Sequence, residues 1–229
     1  MRCLITAGPT YEPLDRVRRL TNFSTGRLGS YLAEWLARHG AEVVLLRGEM
    51  SSWPHVPANC AVEMFSTGED LARRLQARRP WKPHAIFHAA AVCDYRPGRI
   101  RLRGPRGGLR DLRPEGKIPT RLGTLTVELV PTPKILACLR DWFPEAALVG
   151  WKYETDGGPE EALARGAAQL RETRSDGCAV NGPAWGEGYA LLWKGREEAP
   201  ITCPDLPALC AALAEGAAKI LADRGSAPE

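Results

Sequence analysis

Apolar positions fall in short bursts along the chain, and the bursts alternate between two periods. Residues 2–7 (RCLITA) form one apolar run stopped by Gly8-Pro9, which predicts a buried strand. A long loop is expected from there to about Thr25. Leu28, Tyr31, Leu32, Trp35 and Leu36 then recur at the spacing of one helix face, and Gly40 supplies the stop. Residues 42–47 (EVVLLR) predict the next strand, 61–65 a third, and Glu69 to Arg78 a helix. Residues 84–91 (HAIFHAAA) predict a fourth strand ending in small side chains.

The segment 99–121 interrupts this pattern. Its four glycines and three prolines argue against regular structure, and a loop of that length inside a compact domain is functional or disordered. The pattern resumes with strand 124–130 (TLTVELV), helix 133–142, strand 146–151, helix 158–173 and strand 177–180. A strand pair at 189–193 and 199–203 follows, then a closing helix marked by Leu206, Leu209, Leu213, Ile220 and Leu221. Strands alternating with helices imply an α/β fold, a mostly parallel sheet covered on both faces. No internal repeat or linker divides it, so one domain over 1–229 is expected, with a flexible flap at about 95–122.

Composition narrows the class. With 44% hydrophobic and 25% charged residues in 229, the chain reads as globular, and it is long enough to bury a core without disulfide or metal staples. No apolar run approaches the length that spans a bilayer, and the short run before Gly8-Pro9 is not a signal peptide. The seven cysteines are scattered and form no CxxC pair, which suits a reducing, cytoplasmic setting. The four histidines show no metal-binding spacing, so no metal held by protein ligands alone is expected. The net charge of +4 is local: eight basic residues in 99–121 face only Asp111 and Glu115, which puts +6 there and −2 on the rest. No aromatic residue lies in that segment, so nucleic acid is not the expected partner.

Ligands of open parallel sheets bind at the carboxyl ends of the strands. Three candidate segments lie there. Gly8 leads into a run ending Ser24-Thr25-Gly26, where a helix start offers free N–H groups and its dipole to an anion. Ala89-Ala90-Ala91 and Asp94 end a strand with room for a flat base or ribose and a carboxylate for a hydroxyl or amino group. The cationic segment with Lys117 could close over a triphosphate. Plain alternatives hold for each: a capped helix, a turn-forming Asp and a solvated loop. Neither GxGxxG nor GxxxxGK[ST] is present.

Taken together, these segments resemble a known family. ITAGPTYEPLDRVRRLTNFSTGRLG, AAAVCDYRP, EGKIP, LTVELVPTPKIL and ALVGWKYET occur in the order of the motifs of phosphopantothenoylcysteine synthetase, the second half of the bifunctional coenzyme A biosynthesis flavoprotein. The resemblance implies a Rossmann-like sheet that dimerises. It implies ligation of cysteine to 4′-phosphopantothenate through an acyl-nucleotide, with CTP (or ATP) and Mg2+ as co-substrate. It places Asn22 on the acyl group, Arg18 in the second step and Lys117 on the triphosphate. Gly8, Ser24, Thr25, Gly26, Ala89, Ala90, Asp94, Pro133, Lys134, Ile135, Leu136 and Trp151 fall on the nucleotide side. The family's flavin-dependent half is not matched, so no flavin is expected, and a separate decarboxylase is.

The match departs from the family on the nucleotide side. The flap lysines reduce to Lys117, and two helix lysines are replaced by Gln169 and Thr173. The arginines of 99–113, Lys152 or Arg171 are the candidates to replace them. Two other readings stay open. One is a nucleotide-binding paralogue without catalysis. The other is a nicotinamide-dependent oxidoreductase suggested by the TGxxG step, although no Tyr-x-x-x-Lys pair supports it. Apolar surface at 124–130 and 189–203 would serve a dimer, or be internal.

Overall fold

The computed structural model describes residues 1–104, 108–113, 116–197 and 199–225. In chain order the elements begin with β1 (Arg2–Pro9), the short pair β2 (Tyr11–Pro13) and β3 (Arg19–Thr21), and α1 (Arg27–Arg38). Next come β4 (Glu42–Gly48), β5 (Ala61–Phe65), α2 (Gly68–Ala77) and β6 (Ala85–Ala91). A second short set follows, β7 (Tyr95–Arg103), β8 (Leu109–Leu112) and β9 (Leu125–Pro131). The rest is α3 (Ile135–Trp142), β10 (Ala147–Tyr153), α4 (Pro159–Thr173), β11 (Gly177–Asn181), β12 (Tyr189–Trp193), β13 (Ile201–Cys203) and α5 (Leu206–Gly225).

Eight strands form the main sheet in the order β13-β12-β11-β10-β6-β1-β4-β5. Six run parallel, and β12 and β13 close one edge antiparallel. The chain winds outward from β1 through β4 to β5, then returns to lay β6 on the other side of β1. The order therefore reverses between β1 and β6, which is where such sheets open a ligand crevice.

Alternation along each strand decides which helix it meets. Cys3, Ile5 and Ala7 of β1 pack with Leu32 and Leu36 of α1 and with Leu209 and Leu213 of α5. Leu4, one residue out of phase, packs with Leu71 and Leu75 of α2 and Leu139 of α3. On that same side α4 sets Ala162 and Leu170 against Val180 and Leu192. The sheet is thus covered on both faces, as the alternating pattern implies. Helix α1 sits very close: a Cβ on Gly29 would lie 2.6 Å from the Ala7 Cβ and 2.9 Å from the Thr6 carbonyl oxygen. At the amino edge, Asp176 gathers three segments. It accepts Arg140 of α3 at 2.7 Å, Arg224 of α5 at 2.7 Å and the Leu148 N–H at 2.8 Å.

Two segments expected to be irregular are paired strands. The loop to Thr25 contains the hairpin β2–β3. The segment 99–121 begins inside β7, which pairs with both β8 and β9 in a separate antiparallel sheet. Pro97 and Gly98 sit at a register shift between β7 and β9, where a missing N–H and a missing side chain are tolerated. Residues 105–107 and 114–115 of the expected flap lie outside the described residues. Of the two stretches expected to serve a dimer or be internal, 124–130 falls on the edge strand β9, and 189–203 divides between the internal β12 and the edge strand β13. Among the described residues no helix is long and apolar enough to cross a membrane.

Candidate functional site

Thr10, fully buried, organises the carboxyl end of β1. Its N–H donates to the Ala91 carbonyl at the end of β6, and its hydroxyl accepts the Cys93 N–H at 2.9 Å. Its own carbonyl accepts the Thr21 hydroxyl at 2.8 Å, which ties down the β2–β3 hairpin. The residue that follows, Asn22, lands at the switch point and donates its side-chain amide to the same Ala91 carbonyl at 3.1 Å.

One residue earlier on β6, Ala90 opens into a cavity of about 460 Å3 under α3 and α4. Asp94, Lys134 and Trp151 line it, with Pro133, Ile135 and Leu136 at the start of α3. Seven of the residues expected on the nucleotide side thus meet around one space. His88 forms part of its wall. Burial pushes its imidazole down to about 4, so the ring is neutral near pH 7. Its Nδ1 lies 2.9 Å from the Thr6 hydroxyl, which also accepts the Ala90 N–H.

The cavity's cations are already paired. Lys134 Nζ lies 2.6 Å from Asp94. Lys152 and Arg165 converge on Glu154 at 3.1 and 2.5 Å. Burial alone would raise the Glu154 carboxyl, but Arg165 and Lys152 outweigh it and hold it below the usual range. Gln169 and Thr173 make neutral bonds. The Gln169 amide donates to the Trp151 carbonyl at 3.2 Å, and the Thr173 hydroxyl donates to the Gln169 carbonyl at 2.7 Å. Lys152 lines the cavity, as one replacement was expected to, whereas Arg171 does not. Arg165 escaped sequence reading. Its signal was spacing: it stands four residues before Gln169, and so on the same face of α4.

The other expected residues lie apart from this cavity. Ala89 points to the opposite face from Ala90, by strand alternation. Gly8 and Gly26 come together at the start of α1. Both have positive φ, +83° and +79°, and a Cβ on Gly26 would lie 3.3 Å from the Gly8 Cα and 2.7 Å from the Ser51 hydroxyl. Ser24 and Thr25 precede that turn, and α1 has neither a side-chain cap nor an acid in its first turn. A second cavity of about 560 Å3 opens on this face between Arg27, Tyr31, Tyr153, Asn181 and Tyr189. Sequence reading missed it because its lining comes from five separate segments.

Arg18 is engaged rather than free. It pairs with Asp15 and donates to the Ile118 carbonyl at 2.7 Å. The Arg18 guanidinium and the Ile118 N–H hold the Asp15 carboxyl well below the usual carboxylate range. Lys117 is exposed, next to Ile118, and no described carboxylate pairs with it.

Comparison with known proteins agrees with this fold. The model of the DNA/pantothenate metabolism flavoprotein C-terminal domain matches residues 1–188. The coenzyme A biosynthesis bifunctional protein CoaBC of Vibrio cholerae is 33% identical over 216 residues, covering 89% of this chain and 49% of that protein. The chain therefore spans about half the length of that curated relative. Among solved structures, the DNA/pantothenate metabolism flavoprotein from Streptococcus pneumoniae superposes with a TM-score of 0.79 at 24% identity, covering 94% of this chain and 97% of that one. A Cab2 mutant in complex with phosphopantothenate-cysteine gives 0.75 at 19% identity, covering 98% and 89%. At these identities the structures speak for the fold.

Proposed function

The chain belongs to the DNA/pantothenate metabolism flavoprotein C-terminal domain family, and on that premise we propose that it is a phosphopantothenate–cysteine ligase acting in coenzyme A biosynthesis. One observation carries the reading. Asn22 hangs on the Ala91 carbonyl, while Ala90, its neighbour on β6, opens into the cavity that collects Asp94, the start of α3 and Trp151. In this reading an amide for the acyl group and a space for the nucleotide share one strand end.

The reaction has two steps. The carboxylate of 4′-phosphopantothenate attacks the α-phosphate of CTP, forming an acyl-cytidylate and releasing pyrophosphate. The amine of cysteine then attacks the acyl carbon, CMP leaves, and the amine loses a proton. In this reading Asn22 holds the acyl oxygen with the N–H left over from its bond to Ala91. Trp151 and the Pro133–Leu136 turn flank the base, and Asp94 takes a polar group of the nucleotide. The Lys117 side chain reaches to the triphosphate and offsets the charge building on pyrophosphate. The α1 start with Gly8, Ser24, Thr25 and Gly26 takes a phosphate. Mg2+ would arrive on the triphosphate, since this cation keeps phosphate oxygens and waters among its ligands. The reading includes a homodimer through an edge strand and a separate decarboxylase for the step that follows.

A mass-spectrometric assay tests it. The chain with 4′-phosphopantothenate, cysteine, Mg2+ and CTP should give phosphopantothenoylcysteine and CMP. Product with ATP and AMP instead would change the nucleotide, and no product with either would overturn the ligase reading. A second reading, nucleotide binding without turnover, is favoured by the neutral Gln169 and Thr173 beside cations already paired to Glu154 and Asp94. Tight CTP binding in a chain that makes no product would select it.

A further inference from the structure

Asp15 divides its two carboxylate oxygens between separate tasks. Oδ1 acts locally, accepting the Val17 and Arg18 N–H groups at 2.8 Å each and shaping the turn between β2 and β3. Oδ2 reaches 103 residues along the chain to accept the Ile118 N–H at 3.0 Å. It also accepts Arg18 Nε at 3.0 Å, and Arg18 Nη2 donates onward to the Ile118 carbonyl at 2.7 Å. Ile118 is thus gripped through both its N–H and its C=O, and the residue is only 3% exposed. Lys117 is the residue before it, exposed and without a described carboxylate partner.

A lysine is a compact charge on a flexible four-carbon stem, so its usefulness to a reacting group depends on where its backbone is fixed. Here the backbone is fixed from the same hairpin that delivers Asn22 to the end of β6. We infer that Asp15 is a positioning residue of the reaction: acting through the Ile118 peptide, it sets where Lys117 stands relative to Asn22. The inference rests on the ligase reading of Lys117 and Asn22.

The test uses Asp15→Asn. The remaining oxygen can keep the local turn, while the new NH2 replaces the oxygen that Ile118 and Arg18 donate to. Amide exchange at Ile118 is expected to quicken at least tenfold, and kcat to fall at least tenfold. Combined with Lys117→Ala, Asp15→Asn should add less than a twofold further loss, because a residue acting through Lys117 has nothing left to position. Losses that multiply in the double variant, or unchanged exchange at Ile118, would overturn the inference. If the Asn variant does not fold, Asp15→Ser serves the same comparison, since its hydroxyl can keep the turn but is too short to reach Ile118. The exchange measurement needs no turnover. A parent chain that makes no product would sink the ligase reading, and faster exchange in Asp15→Asn would still uphold the anchor.

Discussion

The cavity under α3 and α4 and the basic hairpin that departs from its rim at Asp94 hold charge in opposite ways. In the cavity, Lys134, Lys152 and Arg165 are each committed to a carboxylate, and the one histidine is kept neutral by burial. Along β7 and beyond, Arg99, Arg103, Arg110, Lys117 and Arg121 have no ion-pair partner among the described residues. Paired charge in a half-buried space gives shape and orientation but little net field. Unpaired charge on an exposed ribbon gives field but little shape. A triphosphate needs both, and Asp94, on the cavity rim just before β7, is where the two regions are joined.

That contrast can be attacked in four places. The largest effect is expected where the regions meet the acyl group. Asn22→Asp should cut product formation about 10²- to 10³-fold, the range seen for loss of one well-aimed donor to a developing oxyanion, with circular dichroism unchanged. Product at the parental rate would remove Asn22 from the chemistry.

The next effect concerns the neutral wall. The folded His88 titrates near 4, whereas an unfolded histidine titrates near 6.5. The unfolded chain therefore takes up the proton first as pH falls. The stability contribution is whole above about 6.5 and is lost on the way down to 4, a change of about 3 kcal/mol. Urea midpoints across that window should fall for the parent and stay flatter for His88→Gln. Equal slopes would mean the wall is not where the pH dependence lies.

A smaller effect is expected on the unpaired side. Lys117→Ala should lower kcat at least tenfold, and the penalty should shrink at high salt because an exposed charge is screened. A penalty indifferent to salt would place Lys117 in the paired class after all. The smallest effect comes from releasing the cavity's own cations. Glu154→Gln frees Lys152 and Arg165, and CTP should bind about fivefold tighter in a direct titration, the order of about 1 kcal/mol expected for a partly exposed pair. Unchanged affinity would mean those cations do not face the phosphates.

Sequence reading succeeded where burial is continuous and failed where it is not. The central strands of the main sheet were visible as apolar runs, because those residues are covered on both faces. The three-residue strands of the β2–β3 hairpin are shorter than any periodic signal. The basic segment did carry one: Arg99-Ile100-Arg101-Leu102-Arg103 alternates with period two, and Ile100 and Leu102 are the buried pair. Counting its glycines and prolines hid that alternation. In the same way, the motifs gave the residues around Ala90 and Trp151, but not the Asp15–Ile118 contact, since nothing in a linear pattern ties positions 103 apart.

Asp176 carries a consequence for how the chain is made. Its two arginine partners come from α3 and from the end of α5, and Arg224 is 48 residues downstream. A ribosome adds about 5–20 residues each second, so Arg224 is made about 2–10 s after Asp176, and until then Arg140 is the one of its two arginine partners already synthesised. The amino edge of the sheet is then a half-built joint, open to chaperones and proteases until the last helix arrives to lock it.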